Sequence, residues 1–393
     1  MGLYHRPSFR ILASRLQEPR RFMQIVQGPR QVGKTTLVGQ ALEAWRGRFV
    51  SAAADTPAPP DSSWILRHWD MARELHDRTG RAVVLALDEV QKVHRWAEVV
   101  KGCWDEDGSR KRDIRVVLLG SSAFLMQHGL SESLAGRFET LFLGHWGFAE
   151  MREAFGLAVE EYVYFGGYPA AAALRGDETR FKDYIRNSLI EPVLSRDVLA
   201  NARIEKPALL RRLFALACDH GGQVLSYNKM LGELKDATNT TTLADYQRLL
   251  ESAWLLAGLS KWSGARVARR ASSPKWLPLN TALMTGMAQE GREEFRNRGE
   301  LWGRLVETAC GAHLFHECRR LGGELFWWRD GNDEVDFVAK LGKRLLCVEV
   351  KSGRPRQRLS GLERFRREHP GAEALLVGGG GERLDAFLSR PLA

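Results

Sequence analysis

Short apolar runs alternate with amphipathic stretches through the first 145 residues of the chain. The runs are Phe22–Gln27, Phe49–Ala53, Ala82–Leu87, Val116–Gly120 and Thr140–Leu143. Thr35–Trp45 has the period of a helix, and strands that alternate with helices predict βαβ units. We therefore expect a parallel sheet with helices on both faces. The charged, glycine-containing stretch Lys101–Asp113 indicates an exposed connection.

The middle of the chain has a helical pattern that ends in a hairpin. Leu225–Leu234 and Asn239–Leu255 have the apolar spacing of two successive helices. Two strand-like runs follow, Leu255–Trp262 and Lys275–Leu279, on either side of a basic loop. Two helices followed by such a hairpin predict a helix-turn-helix with a β-wing.

The C-terminal part begins with a long predicted helix, Arg298–Arg320. Four predicted strands follow it: Glu324–Trp328, Glu334–Lys340, Arg344–Lys351 and Ala374–Val377. This order predicts a second, smaller α/β domain, so the fold class is α/β with a helical, winged-helix region between two sheets. The predicted domains are residues 1–150, 151–215, 216–290 and 291–393.

A phosphate-binding motif follows the first predicted strand. Residues 28–35 are Gly-Pro-Arg-Gln-Val-Gly-Lys-Thr, the complete pattern G-x-x-x-x-G-K-[ST]. The glycines let backbone N–H groups point at the phosphates, Lys34 adds a positive charge, and the Thr35 hydroxyl binds Mg²⁺. The helix N-terminus adds its dipole to the anion site. The predicted nucleotide-binding residues are Gly28, Pro29, Arg30, Gln31, Val32, Gly33, Lys34, Thr35 and Thr36.

Two further strands end in polar residues at the same predicted sheet edge. The apolar run Ala82–Leu87 ends in Asp88 and Glu89. We expect Asp88 to hold Mg²⁺ and Glu89 to orient and deprotonate the attacking water. Ser121, after the strand 116–119, is the candidate for contact with the γ-phosphate or this water. Arg137 is the candidate arginine for the charge of the transition state.

The net charge of the chain is +10, with 58 Lys and Arg against 48 Asp and Glu. Such an excess favours polyanionic partners such as nucleic acid, although it is also common in soluble proteins. Five scattered cysteines without a C-x-x-C pair argue against a zinc site or disulfide framework and favour a reducing compartment. We see no signal peptide and no membrane-spanning apolar run, so a cytoplasmic location is expected.

A second candidate site lies in the C-terminal hairpin. Asp336 and Glu349 fall in adjacent predicted strands that turn at Gly342, and Glu349 and Lys351 leave the same strand face. This pattern resembles the restriction-endonuclease-like superfamily, in which carboxylates bind Mg²⁺ and the lysine activates water. Glu307, in the preceding helix, is a candidate additional acid. Solvated charges on a hairpin, or a copy of the fold that only binds DNA, are the alternatives.

Hydroxyl and basic groups in the predicted winged helix are candidate DNA contacts. They are Thr241, Arg248, Arg266, Arg269, Arg270 and Lys275. Hydroxyl and basic groups of this kind bind phosphates without reading the base sequence. A further cluster follows the Glu-x-Lys strand and comprises Arg354, Arg356, Arg358, Arg364, Arg366 and Arg367. A solvated helix face is the alternative for each cluster.

The motifs together resemble a family. Gly28–Thr36, Leu-Asp-Glu-Val-Gln at 87–91, Leu-Gly-Ser-Ser at 119–122 and Leu-Ala-Gly-Arg at 134–137 are similar to AAA+-type ATPases of archaea and bacteria. Those proteins have a C-terminal domain of unknown function, and Phe-Gly-Gly-Tyr-Pro at 165–169 extends the resemblance. The family implies ATP and Mg²⁺ as cofactors, Arg137 as an arginine finger, and self-association into a ring, as a hexamer.

Three functions fit these observations. The first is an Mg²⁺-dependent ATPase coupled to DNA binding or remodelling, directed by DNA structure rather than by base sequence. The second is an ATP-dependent signalling switch in which the winged helix packs as a lid. The third adds DNA cleavage by Asp336, Glu349 and Lys351. A membrane partner is not expected.

Overall fold

The computed structural model describes residues 4–55, 60–120, 133–199, 204, 206–234, 239–263, 273–353 and 360–392, without the side chain of residue 197. Contacts divide the chain into two compact units, Met1–Gly144 and His145–Ala393. The predicted subdivisions at residues 151, 216 and 291 stay predictions. Within the described ranges, no helix combines the length and apolar character that crossing a membrane requires.

The first unit is built on a five-stranded sheet. Its strands are β1 (Met23–Gln27), β2 (Arg48–Ala53), β3 (Val83–Asp88), β4 (Ile114–Gly120) and β5 (Phe138–Phe142). Their order is β2-β3-β4-β1-β5, and every neighbouring pair is parallel. The central strands β1, β3 and β4 are buried almost throughout, which explains their near-continuous apolar runs. The predicted parallel α/β fold is confirmed.

Four helices of this unit connect the strands or precede them. They are α1 (Pro7–Gln17), α2 (Lys34–Ala44), α3 (Ser62–Thr79) and α4 (Trp96–Ser109). Much of Lys101–Asp113 is exposed as predicted, but most of the segment belongs to α4 and is not an irregular connection. Asp107 is fully buried there, where it accepts hydrogen bonds from Trp69 Nε1 at 2.6 Å and Arg73 Nε at 2.8 Å.

Helices make up much of the second unit. They are α5 (Phe148–Phe155), α6 (Val159–Phe165), α7 (Glu178–Asp183), α8 (Pro207–Asp219), α9 (Tyr227–Glu233), α10 (Thr240–Ser252), α11 (Thr281–Met287), α12 (Arg292–Asn297), α13 (Gly299–Arg320), α14 (Ser360–Glu368) and α15 (Leu384–Ser389). A 3₁₀ segment covers Pro169–Leu174, and π-helical segments cover Tyr184–Ile190 and Val193–Leu199. The predicted helix pair corresponds to α9 and α10.

Two small sheets complete the second unit. They consist of β6 (Leu256–Leu259), β7 (Lys275–Pro278), β8 (Glu324–Asp330), β9 (Asp333–Leu341), β10 (Arg344–Lys351) and β11 (Glu373–Gly378). Strands β6 and β7 form an antiparallel pair, and the larger sheet has the order β11-β10-β9-β8. The β9–β10 hairpin turns at Gly342, whose φ of 59° favours glycine. The five cysteines are free and buried.

The end of β1 makes a close backbone approach that only glycine permits. A Cβ on Gly28 would lie 2.0 Å from the carbonyl oxygen of Leu143, and the N–H of Leu143 donates to the carbonyl of Gln27. We expect Gly28→Ala to destabilise the first unit by about 1–3 kcal/mol through overpacking. Thermal unfolding of the purified protein measures this change.

Gly39 provides the matched control, because a Cβ at that position in α2 meets nothing within 4 Å. We expect Gly39→Ala to be neutral or to stabilise by roughly 0.5–1 kcal/mol, since alanine loses less backbone entropy than glycine in a helix. Equal destabilisation by both substitutions would contradict the close approach as the cause.

Candidate functional site

The loop between β1 and α2 forms a compact cradle. Gly33 precedes α2 with a φ of 87°, and Gln31 also has a left-handed φ of 60°. The Lys34 side chain is buried, and its Nζ donates to the carbonyl oxygens of Gly28 at 3.0 Å and Pro29 at 2.7 Å. The loop therefore holds an ammonium group and the N-terminus of a helix together, an arrangement that attracts phosphate oxygens.

Thr35 and Asp88 meet at the carboxyl edge of the sheet. The Thr35 hydroxyl donates to Oδ2 of Asp88 at 2.6 Å, although 53 residues separate them in the chain. Oδ1 of Asp88 accepts the backbone N–H of Glu89 at 2.8 Å. A hydroxyl beside a carboxylate supplies the oxygen ligands that Mg²⁺ prefers, usually completed by water and substrate phosphates. This pair fits Mg²⁺.

Glu89 stands next to this pair in a left-handed backbone conformation. Its φ is 52°, which is uncommon for a residue with a side chain and is typical of functional sites. Gln91 Nε2 donates to Oε2 of Glu89 at 2.7 Å, and Lys92 Nζ lies 3.7 Å from the same oxygen. Gln91 is buried, so it holds the carboxylate of Glu89 in one position. Sequence reasoning missed Gln91, whose only signal was its place two residues after Glu89.

Arg137 lies at the other edge of the sheet. Its carbonyl accepts the N–H of Met23 at the start of β1, whereas the phosphate cradle follows the end of β1. Five residues of strand separate the two edges by roughly 17 Å. The Arg137 guanidinium pairs with Asp105 at 2.8 Å, and this hydrogen bond raises the pKa of Arg137. Ser121 lies outside the described residues.

A protein-family model described as an AAA domain matches residues 20–152, which contain the five-stranded sheet and the cradle. The strand order β2-β3-β4-β1-β5 and the phosphate-binding loop agree with this match. Residues 20–152 therefore form an AAA+-type P-loop ATPase domain. Further models match residues 157–294, a domain of unknown function (DUF8612), and residues 302–387, a domain of unknown function (DUF4143). The expected family, with additional C-terminal domains, is confirmed.

Solved structures resemble this AAA+ chain more distantly. The Thermotoga maritima RuvB Holliday junction branch migration motor is 17% identical, covering 64% of this chain and 86% of its own, with a TM-score of 0.32. The Aeropyrum pernix ORC1 protein in complex with DNA is 14% identical, covering 72% and 91%, with a TM-score of 0.30. No curated protein matches the chain in sequence.

The second unit contains a carboxylate–lysine cluster, which consists of Lys275, Glu307, Asp336, Glu349 and Lys351. Nζ of Lys275 lies 2.5 Å from Oε1 of Glu307 and 3.4 Å from Oδ1 of Asp336. Nζ of Lys351 lies 2.5 Å from Oε1 of Glu349. The structure thus brings together the four residues predicted for the nuclease-like site and adds a fifth.

Lys275 corrects one prediction. As a wing residue it was expected to contact DNA at the surface, but its side chain is only 1% exposed. Strand β7 directs the Lys275 side chain into the protein, where Glu307 and Asp336 compensate its buried charge. These two acids outweigh the effect of burial and raise the pKa of Lys275 above its ordinary value. Lys275 is therefore a buried ion-pair partner and not a surface contact.

Burial also affects the two glutamates of the cluster. It raises the pKa of Glu307 to about 7 and that of Glu349 to about 7, with further repulsion from Asp336 in both cases. Oε2 of Glu349 is buried and has no hydrogen-bond partner among the described residues. The cluster is thus a low-dielectric site in which each ammonium group neutralises a neighbouring carboxylate.

The nuclease-like resemblance implies Mg²⁺ at this cluster, and the residues present do not fit it. Asp336 directs Oδ1 at Lys275, and its Oδ2 accepts the backbone N–H of Val350 at 2.8 Å. Glu307 directs Oε1 at the same ammonium group. In the described part of the chain, no group of three or more His, Cys, Asp or Glu residues could hold a metal ion. The acids of this cluster therefore pair with lysines and a backbone N–H instead of converging as metal ligands.

The remaining candidate DNA contacts divide into two groups. Thr241 and Arg248 are exposed on α10, where Arg248 pairs with Asp245 one helical turn earlier. Arg266, Arg269 and Arg270 lie outside the described residues. The side chain of Asn239 accepts the N–H of Thr242 and caps α10 at its N-terminus. The roles of these residues in DNA binding stay predictions.

The contact between Gln91 and Glu89 generates a prediction for ATP hydrolysis. We expect Gln91→Ala to lower kcat by roughly 10-fold, because Glu89 loses the donor that fixes its carboxylate, while nucleotide affinity stays unchanged. Steady-state turnover and binding of a fluorescent nucleotide measure the two quantities.

Arg95→Ala is the control for Gln91→Ala. Arg95 belongs to the same loop but is exposed and pairs with Glu98. We expect its removal to change neither kcat nor nucleotide affinity. If Gln91→Ala weakened nucleotide binding and left kcat unchanged, a positioning role for Gln91 would be refuted.

Proposed function

We propose that the protein hydrolyses ATP with Mg²⁺ and couples hydrolysis to DNA binding. The observation that supports hydrolysis most directly is the 2.6 Å hydrogen bond between Thr35 and Asp88. It brings the hydroxyl of the phosphate-binding loop to the carboxylate of β3, with Glu89 next in the chain. In phosphoryl transfer such groups hold the metal on the β- and γ-phosphates and orient the attacking water.

Charge supports DNA as the partner. The net charge is +10, and residues 264–272 and 354–359 each contain three arginines and no acidic residue. These segments adjoin β7 and β10, the strands that contribute Lys275 and Lys351 to the carboxylate–lysine cluster. Clustered arginines bind the phosphate backbone and make affinity dependent on salt. The helix pair α9–α10 followed by the β6–β7 hairpin agrees with a winged-helix arrangement.

The position of Arg137 supports self-association. Roughly 17 Å of strand separates it from the phosphate cradle of its own chain, so it cannot stabilise charge there. A neighbouring copy can present Arg137 to that cradle, as arginine fingers supplied in trans do. We therefore propose that ATP turnover requires an oligomer, in the form of a hexameric ring.

DNA coupling is tested by ATP turnover without DNA, with single strands, with duplex and with junctions. We expect DNA to stimulate turnover, with Lys34→Ala as the inactive blank. Arg269→Glu combined with Arg270→Glu should weaken DNA retention by roughly 10-fold and leave DNA-free turnover unchanged, because phosphate contacts are lost.

The control for this experiment is Arg296→Glu combined with Arg298→Glu. These arginines are exposed near α12, and their reversal changes net charge equally. We expect it to leave DNA retention close to that of the wild type. If none of the DNA structures changed ATP turnover, DNA coupling would be refuted and an ATP-dependent switch would be favoured.

Hydrolysis in trans is tested by mixing two inactive variants. We expect Arg137→Ala to lower turnover by roughly 10³-fold. Adding Lys34→Ala, which retains Arg137, should restore turnover, because its arginine completes the intact cradle of the other variant. Arg110→Ala removes an exposed arginine of the same unit, paired with Glu106, and should leave turnover unchanged. A mixture as inactive as its components would argue against hydrolysis in trans.

A further inference from the structure

The carboxylate–lysine cluster joins four separate elements of the second unit, one of which is β10 with Glu349 and Lys351. Glu307 belongs to α13, Asp336 to β9, and Lys275 to β7 of the small hairpin. Lys275 lies 61 residues before Asp336 in the chain, so this contact is purely tertiary. The cluster therefore connects the β6–β7 hairpin to the four-stranded sheet through charge.

Lys275 makes more contacts than a single ion pair. In addition to Glu307 and the side chain of Asp336, its Nζ donates to the backbone carbonyl of Asp336 at 3.1 Å. It also lies 4.7 Å from the centre of the Phe337 ring. A buried lysine is normally costly, and here two carboxylates, a carbonyl and an aromatic face surround its charge.

The acidic groups show why a cation is required at this point. Glu307 and Asp336 face each other across the ammonium group, and both are largely buried. Without a cation between them, two neighbouring carboxylates repel in a low-dielectric site. Related nuclease-like sites meet this requirement with a divalent metal ion, whereas this chain supplies the charge covalently.

We propose that the ammonium group of Lys275 takes the place of a divalent metal ion in this cluster. The site is then neutralised without metal and serves to fix the β6–β7 hairpin on the sheet. The acids of this cluster accordingly hold no Mg²⁺, and the second unit does not use them for Mg²⁺-dependent cleavage. Neither ATP hydrolysis nor DNA binding is needed for this role of Lys275.

Binding of Mn²⁺, followed by electron paramagnetic resonance without nucleotide, tests this role. All samples contain Thr35→Ala, so that the phosphate cradle does not contribute. We expect this background protein and its Asp336→Asn variant to bind the same amount of Mn²⁺. Adding Lys275→Met, which removes the charge and keeps an unbranched side chain one atom shorter, should create one Mn²⁺ site per chain that Asp336→Asn abolishes.

Thermal unfolding gives a second measurement on the same proteins. We expect Lys275→Met to lower Tm by roughly 5–15 °C, since it leaves buried carboxylates uncompensated, and added Mn²⁺ to restore part of the loss. Lys343→Met, at the exposed turn between β9 and β10, is the control and should change neither Tm nor Mn²⁺ binding. EDTA should leave the Tm of the background protein unchanged.

Three results would overturn the proposal. One is an Mn²⁺ site in the background protein that Asp336→Asn removes. Another is a fall in Tm of the background protein on addition of EDTA. The third is a folded Lys275→Met variant that gains no Mn²⁺ site. If Lys275→Met does not fold, two measurements still test the proposal, because both use proteins that retain Lys275. They are Mn²⁺ binding by the background protein and its Asp336→Asn variant, and the Tm of the background protein with EDTA.

Discussion

Parallel pairing of β1, β4 and β3 is the constraint on which the nucleotide site depends. Parallel strands end at the same edge of a sheet, so the loop after β1 and the acids at the end of β3 meet there. The hydrogen bond between Thr35 and Asp88 is the direct result. The same constraint sends Arg137, at the start of β5, to the opposite edge. One topological rule thus explains both the contact between Thr35 and Asp88 and the distance of Arg137 from them.

In the second unit, the carboxylate–lysine cluster depends on the compensation of a buried charge. Lys275 is buried, and its contacts with Glu307 and Asp336 hold the small hairpin against the larger sheet. Removing one partner of such a group is strongly destabilising, because the remaining charge loses both water and its counter-ion. The second unit therefore keeps an acidic site whose cation is part of the chain.

The sequence predicted the strands of both sheets to within a few residues, since buried strands have continuous apolar runs and the Gly342 turn is local. The sequence did not predict that most of Lys101–Asp113 is helical or that Asp107 within it is buried. Asp107 is buried there because Trp69 and Arg73, on another helix, supply its partners. The sequence also did not predict the burial of Lys275, whose partners Glu307 and Asp336 are distant in the chain. Both buried charges have partners on distant segments of the chain, and a local sequence pattern does not indicate those partners.

The sequence by itself determined the phosphate-binding loop, the acids after β3 and the parallel α/β class, because each depends on neighbouring residues and on strand period. Only the tertiary structure decided that Gln91 holds Glu89, that Arg137 lies at the sheet edge opposite the phosphate cradle, and that Lys275 enters the cluster. These facts depend on strand order and on contacts between distant segments, where burial makes a charge costly unless a partner is present.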